Sequence, residues 1–242
     1  MLFNKTVDLH FYTALGYVHE LAGIRTRVEA KPSWFKKQPL KDYRGPENRL
    51  PGKVLKACPG IQDYYKKVIQ LPLCSDLALQ IGPKGDDLYR WEYSDGASKA
   101  RAFSSDMIKN YKRPEDFQFL ILESPWVVRS NANVDFLMCQ PMWHMFEFPT
   151  ISISQGVINF SRRNLCNVQM YVAKTVETQE LLVPHGTPLV ELIPLTDKKI
   201  KVHTHLINSL EYEKLTGHFS NPKFSGSYNY ANALAKKCLR PQ

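Results

Sequence analysis

From Leu71 onward, apolar and polar positions alternate with a period of two. Asp76-Leu77-Ala78-Leu79-Gln80-Ile81 runs into the turn cluster Gly82-Pro83-Lys84-Gly85-Asp86-Asp87, and residues 88–93 return on the far side. Successive strand side chains point to opposite faces, so this alternation predicts a β-hairpin. The same reading predicts strands at 117–122, 126–128, 134–139, 150–153, 168–174, 178–183 and 188–195, separated by turns rich in Pro, Gly, Asn and Ser. Short, evenly spaced strands of this kind predict a mainly β protein, an antiparallel sandwich or barrel.

The flanks break the pattern. After an apolar opening over residues 9–18, residues 31–60 hold five prolines (Pro32, Pro39, Pro46, Pro51, Pro59) and three glycines (Gly45, Gly52, Gly60). Proline lacks a backbone donor and fixes φ, so no long helix and no central strand fits there. An irregular segment wrapping the main domain is expected, anchored by Trp34, Phe35 and Tyr43. Only residues 59–70 read as helical: Ile61, Tyr64, Tyr65, Val68 and Ile69 recur at steps of three and four. Beyond residue 200, a short helix is predicted over 206–215, with Ser209 as N-cap and Gly217 beyond its end. A second is predicted over 226–239, where Lys236 and Lys237 suit the negative end of a helix dipole. The expected division is a proline-rich region over 1–70, a β domain over 71–200 and a tail over 201–242.

Composition narrows the class. The 242 residues are 43% hydrophobic and 12% aromatic, enough for a sizeable core. No apolar run approaches the ~20 residues that span a bilayer, and Met1-Leu2-Phe3-Asn4-Lys5 lacks the pattern of a secretory signal. No membrane association and a cytoplasmic location are expected. Cys58, Cys74, Cys139, Cys166 and Cys238 show no CxxC spacing, so reduced thiols are expected and no structural zinc. The net charge of +9 is spread over basic pairs such as Lys36-Lys37, Lys66-Lys67 and Arg162-Arg163. It suits an acidic partner, whether nucleic acid, nucleotide or protein, or else an ordinary solvated surface.

Two glycine turns carry the most specific signal. Gly156-Val157-Ile158-Asn159-Phe160 leads into a polar strand, and Gly186-Thr187-Pro188-Leu189-Val190-Glu191-Leu192-Ile193 leads into an apolar one. Upstream lie Cys74-Ser75-Asp76-Leu77 and Gln140-Pro141-Met142-Trp143-His144. In this order the four segments resemble the motifs of dUTPases and dCTP deaminases: Gly-Tyr-Asp-Leu, Pro-Arg-Ser-Ser, Gly-Val-Ile-Asp and Gly-Asp-Arg-Ile-Ala-Gln-Leu-Ile. The resemblance covers residues 71–195 and implies a dUTPase-like β-clip fold, an antiparallel sandwich or barrel, with a homotrimer favoured. The overall pattern, including Cys58-Pro59-Gly60-Ile61 and Leu71-Pro72-Leu73 ahead of the β region, resembles proteins of tailed-phage genomes, and β-clip domains also occur as capsid-decorating or assembly modules.

The chemistry implied by that resemblance is missing at its centre. The family's base is the aspartate after Gly-Val-Ile, and an amide at Asn159 has no useful basicity. Met142 and Trp143 stand where Arg and Ser would hold a triphosphate, and Thr187-Pro188 replaces Asp-Arg. The expectation is a non-enzymatic phage-type binding or assembly protein with no cofactor. The alternative is a nucleotide-binding or nucleotide-hydrolysing protein using Mg²⁺, with a ligand held by Asn159, Arg162, Arg163 and Phe224.

Two further clusters carry open readings. The segment from Met138 to Phe148 is dense in Met and aromatics, so Met142, Trp143, Met145 and Phe146 are either core or an adaptable interface. His203-Thr204-His205 would place two imidazoles on one face of a strand, with His144 or His185 as third ligand of a metal. With no HExxH or similar spacing, a plain surface pair is expected and no metal.

Overall fold

The structure, a computed structural model, describes residues 6–39, 41–42, 52–53, 55–86, 88–95, 99–103, 114–141, 143–144, 148–162 and 165–216. The chain opens with β1 (Thr6–Thr13), whose alternate residues Val7, Leu9 and Phe11 are fully buried. There follow α1 (Gly16–Leu21), β2 (Arg25–Thr26), α2 (Ser33–Lys37), β3 (Lys41–Asp42), β4 (Gly52–Lys53) and α3 (Pro59–Lys67). Pro59 starts α3 where its missing N–H has no intrahelical partner to lose. The β region then runs through β5 (Ile69–Pro72), β6 (Leu77–Ile81), β7 (Tyr89–Tyr93), β8 (Ala100–Phe103) and β9 (Phe117–Leu122). Next come β10 (Val127–Ser130), β11 (Asp135–Cys139), β12 (Ile151–Ile153), β13 (Gly156–Asn159) and β14 (Val168–Ala173). The chain continues through β15 (Gln179–Val183), β16 (Pro188–Pro194), β17 (Lys199–Leu206) and α4 (Ser209–Thr216).

The protein is mainly β. Its larger sheets are ordered β13-β11-β16-β5-β2, β12-β14-β9-β8, β15-β6-β7 and β10-β1-β17. The 76–93 hairpin expected from alternation forms, with Leu77 opposite Tyr93 and Ile81 opposite Tyr89. The seven further strands expected across 117–195 are all present, within two residues at each end. One core joins the sheets: Leu9, Phe11, Leu77, Leu120, Trp126, Phe136, Met170 and Leu192 all belong to it.

Two features differ from the sequence expectation. β1 and β17 pair in parallel along their whole length, Thr6 with Lys199 through Thr13 with Leu206, in a fold expected to be antiparallel. The sheet β10-β1-β17 thus draws one strand from each of the regions 1–70, 71–200 and 201–242, and β17 itself crosses residue 200. Also, Asn208 rather than Ser209 caps α4. Its Oδ1 accepts the Glu211 N–H at 2.9 Å, and the Glu211 carboxylate reaches back to the Asn208 N–H at 3.4 Å. Asn caps at least as well as Ser, and the three-residue step to Glu211 closes a capping box that Ser209 lacks. Gly217 and the helix expected over 226–239 lie outside the described residues.

Phe35 is buried in a second cluster with Ala30, Tyr65 and Val68, which seats α2 against α3. Trp34 meets Phe35 edge-on at 5.7 Å, while Tyr43 lies outside the described residues.

Candidate functional site

β11 and β13 form an antiparallel pair that sets Asp135 opposite Asn159. Asn159 Nδ2 donates to Asp135 Oδ1 at 2.6 Å and to Asn133 Oδ1 at 2.9 Å. Its Oδ1 accepts from the Ser161 hydroxyl at 2.6 Å and the Ser161 N–H at 3.1 Å. Both ends of the amide are therefore engaged, Nδ2 across the strand pair and Oδ1 in the turn after β13. Arg162 is exposed on that turn, its N–H donating to the Asn159 carbonyl at 3.1 Å. Arg163 and Phe224 lie outside the described residues, as do Met142, Met145 and Phe146. Trp143 lies 5.8 Å from the Trp34 ring, and its carbonyl accepts the Trp34 indole N–H at 3.3 Å. It is half-buried against the second cluster.

The most concentrated chemistry sits elsewhere, where β16 and β5 meet. Glu191, 1% exposed in an otherwise apolar strand, is the register partner of Gln70. Gln70 Nε2 donates to Glu191 Oε1 at 2.6 Å, and the Tyr64 hydroxyl of α3 donates to Glu191 Oε2. Burial pushes the Glu191 carboxyl above its ordinary value, against the lowering effect of these two donors. Burial also pushes the neighbouring Cys139 thiol up to about 11, which keeps it protonated and inert. His144 Nε2 lies 3.0 Å from Gln70 Nε2 and 3.0 Å from the Ala30 carbonyl, so one nitrogen faces a donor and an acceptor. Gln70 Oε1 is buried without a partner.

On its other side His144 walls an open cleft of about 440 Å³, lined also by Arg25, Glu29, Lys31, Ser33 and Lys36. Burial lowers the His144 pKa, and the charges of Arg25 and Lys36 lower it further. Arg25 is seated by a glycine: a Cβ added at Gly186 would come within 3.2 Å of Arg25 Nη2. Lys31 is held by Gln62 Oε1 at 2.9 Å, its ammonium 5.7 Å from the Phe35 ring centre and 5.9 Å from that of Tyr65.

Apart from His144, sequence reasoning missed this cluster. Its members are spread from Arg25 to Glu191, and no short motif joins them. One signal was available: a lone carboxylate inside Leu189-Val190-Glu191-Leu192-Ile193 must either be paired or stay neutral once the strand is buried.

A third cluster completes the histidine pair. His203 and His205 do share a face of β17, and the residue that joins them is His10 of β1, not His144 or His185. The His10 ring lies 4.7 Å from His203 and 5.2 Å from His205, and Tyr12 lies 4.7 Å from His205, all nearly parallel. His203 Nε2 also meets Asp8 Oδ1 at 3.0 Å. No group of three His, Cys, Asp or Glu among the described residues is arranged to hold a metal ion. His185 lies elsewhere: its backbone N–H donates to Asp76 Oδ1 at 2.7 Å, and its ring Nε2 is 3.4 Å from the Leu21 carbonyl.

Compared with protein-family models and with curated proteins, the chain matches none. No helix among the described residues is long and apolar enough to cross a membrane.

Proposed function

We propose that this chain is a non-enzymatic binding and assembly protein of phage type, on a dUTPase-like β-clip scaffold. The observation that carries the reading is Asn159. At the position where the resemblance implies a base, an amide is engaged at both ends, across the strand pair and in the turn. The Asn159 amide cannot take a proton from a bound water, so Mg²⁺-dependent hydrolysis has no base at the position the resemblance implies. Self-assembly is supported by a sheet edge. Among the described residues β17 is an outer strand of its sheet, and Leu206 at its end and Leu210 in α4 are 52% and 61% exposed. Such an edge is suited to pairing with a second copy, in the trimer that the resemblance favours.

The test is a pair of measurements on the purified protein. Incubation with dUTP and dCTP in Mg²⁺ should give no turnover, and sedimentation should give a trimer. Hydrolysis at an enzyme-like rate would return the protein to the nucleotide-processing class. A monomer at every concentration would remove the assembly role.

A further inference from the structure

We propose that the cleft between α2 and His144 binds a small phosphorylated compound, its phosphoryl group held by Arg25 and Lys36. This site is separate from the Asn159 turn and does not rest on the assembly reading. Arg25 and Lys36 both line the cleft, and among the described residues neither side chain makes an ion pair or hydrogen bond. An unpaired guanidinium offers a planar fork that matches phosphate oxygens two at a time.

The Arg25 fork is also positioned. β2 pairs with β5 through Arg25 and Gln70, and the guanidinium lies against Gly186, where any side chain would crowd it. Lys31 adds a third cation, immobilised by Gln62 and by the faces of Phe35 and Tyr65. The one acid in the lining is Glu29, so three cations against one carboxylate leave a net positive cleft. Ser33 supplies a neutral hydroxyl, and His144 presents an imidazole close enough to both cations to feel their charge.

Size separates an ester from a bare ion. A cleft of about 440 Å³ falls within the range typical of small-molecule sites and leaves room beside a single phosphate. A polymer would need a continuing basic track, whereas these groups converge on one concavity.

The experiment is a thermal-shift and calorimetric titration of the full chain with inorganic phosphate, glycerol 3-phosphate and ribose 5-phosphate. Chloride at matched ionic strength is the control. The expected result is a saturable stabilisation by the esters, with inorganic phosphate weaker and chloride without effect. Arg25→Gln and Lys36→Ala should each weaken ester binding about tenfold, the loss expected for one charge-assisted contact. Lys37→Ala, on the same short helix but outside the lining, should bind as the wild type does. Lys36 is exposed, so its variant reports on binding even if Arg25→Gln disturbs the β2–β5 pairing. A response no larger than that to chloride, or ester affinity unchanged in Lys36→Ala, overturns the site. Inorganic phosphate binding as tightly as the esters overturns the assignment to an organic phosphate.

Discussion

His10 and His205 share one hydrogen across the parallel pair of β1 and β17: Nδ1 of the first lies 3.0 Å from Nε2 of the second. One nitrogen must carry the proton and the other a lone pair, so the contact requires at least one neutral ring. Both pKa values lie below the ordinary 6.5. For His10 the causes are burial first, then the charges of His203 and His205, opposed by Asp8. For His205 they are burial, then His203 and His19.

This pair gives the fold an acid sensitivity that sets in before its carboxylates titrate. A depressed histidine pKa means the folded state prefers the neutral ring. The stabilising contribution is complete above pH 6.5 and is lost as pH falls through the lowered folded values. Other charged groups on this face are Asp8, Lys201 opposite it and Arg129 opposite His10. Asp8 is held below 3.8 by its bond to His203, so it stays ionised through this window. Urea denaturation between about pH 8 and pH 5 should show falling stability, and the double variant His10→Gln/His205→Gln a shallower slope. An identical slope in both proteins would exclude this pair as the source.

Glu191 has the opposite sign. Its pKa is raised above 4.5, so its contribution is complete below that value and is lost as pH rises through the folded one. Glu191→Gln removes the charge but keeps the shape. Tyr64 can still donate to the amide oxygen, and a flip of Gln70 would turn its unpaired Oε1 toward the new NH₂. This variant should equal the wild type in acid and exceed it increasingly above pH 4.5. Glu191→Ala leaves Tyr64 and Gln70 facing a void and should cost about 2–4 kcal/mol. Chemical denaturation of both variants across pH is the check, and Glu191→Gln weaker than wild type near neutrality would contradict it.

The two glycines that marked the sequence should behave differently. Gly186 has φ of +77°, and an added Cβ meets the Arg25 guanidinium at 3.2 Å. Gly156 is not left-handed, and nothing lies within 4 Å of its would-be Cβ. Gly186→Ala should destabilise by about 1–2 kcal/mol and weaken phosphoester binding by shifting Arg25. Gly156→Ala should be close to neutral. Melting curves for the two variants settle the contrast, and equal losses would contradict it.

The β region was legible because its strands alternate cleanly and its turns are punctuated. Phe117–Leu122 was located to the residue, and both members of the 76–93 hairpin were found. β1 escaped although Val7, Leu9 and Phe11 alternate with Thr6, Asp8 and His10, because the apolar run continuing to Val18 masked the period. β17 escaped because its alternation is weak on both faces: Ile200 and Val202 are only half-buried, and Lys and His fill the other face. Neither strand announces its partner, 193 residues away from Thr6 to Lys199. The cleft was illegible for the same reason, since Arg25, Lys36 and His144 acquire a common purpose only once β2, α2 and the chain after β11 meet.

Restoring an aspartate at position 159 tests the degenerate-scaffold reading from the stability side. Asn159 donates to Asp135 Oδ1 at 2.6 Å, and a carboxylate in its place would set two anionic oxygens at that distance. The donor to Asn133 is lost at the same stroke. Asn159→Asp should therefore lower stability by about 1–2 kcal/mol above the carboxylate range, less after acidification protonates one partner. On the proposed reading it should yield no dUTP or dCTP hydrolysis, since the resemblance implies Arg and Ser donors to the triphosphate where this sequence has Met142 and Trp143. Asn159→Ala loses the same donors and also the Oδ1 that accepts from Ser161, which an aspartate keeps, so the two variants are compared by their pH dependence and not by rank. Only Asn159→Asp should regain stability on acidification, and equal pH dependence would exclude repulsion from Asp135 as the source of its loss. Turnover by Asn159→Asp would mean that only the base had been missing.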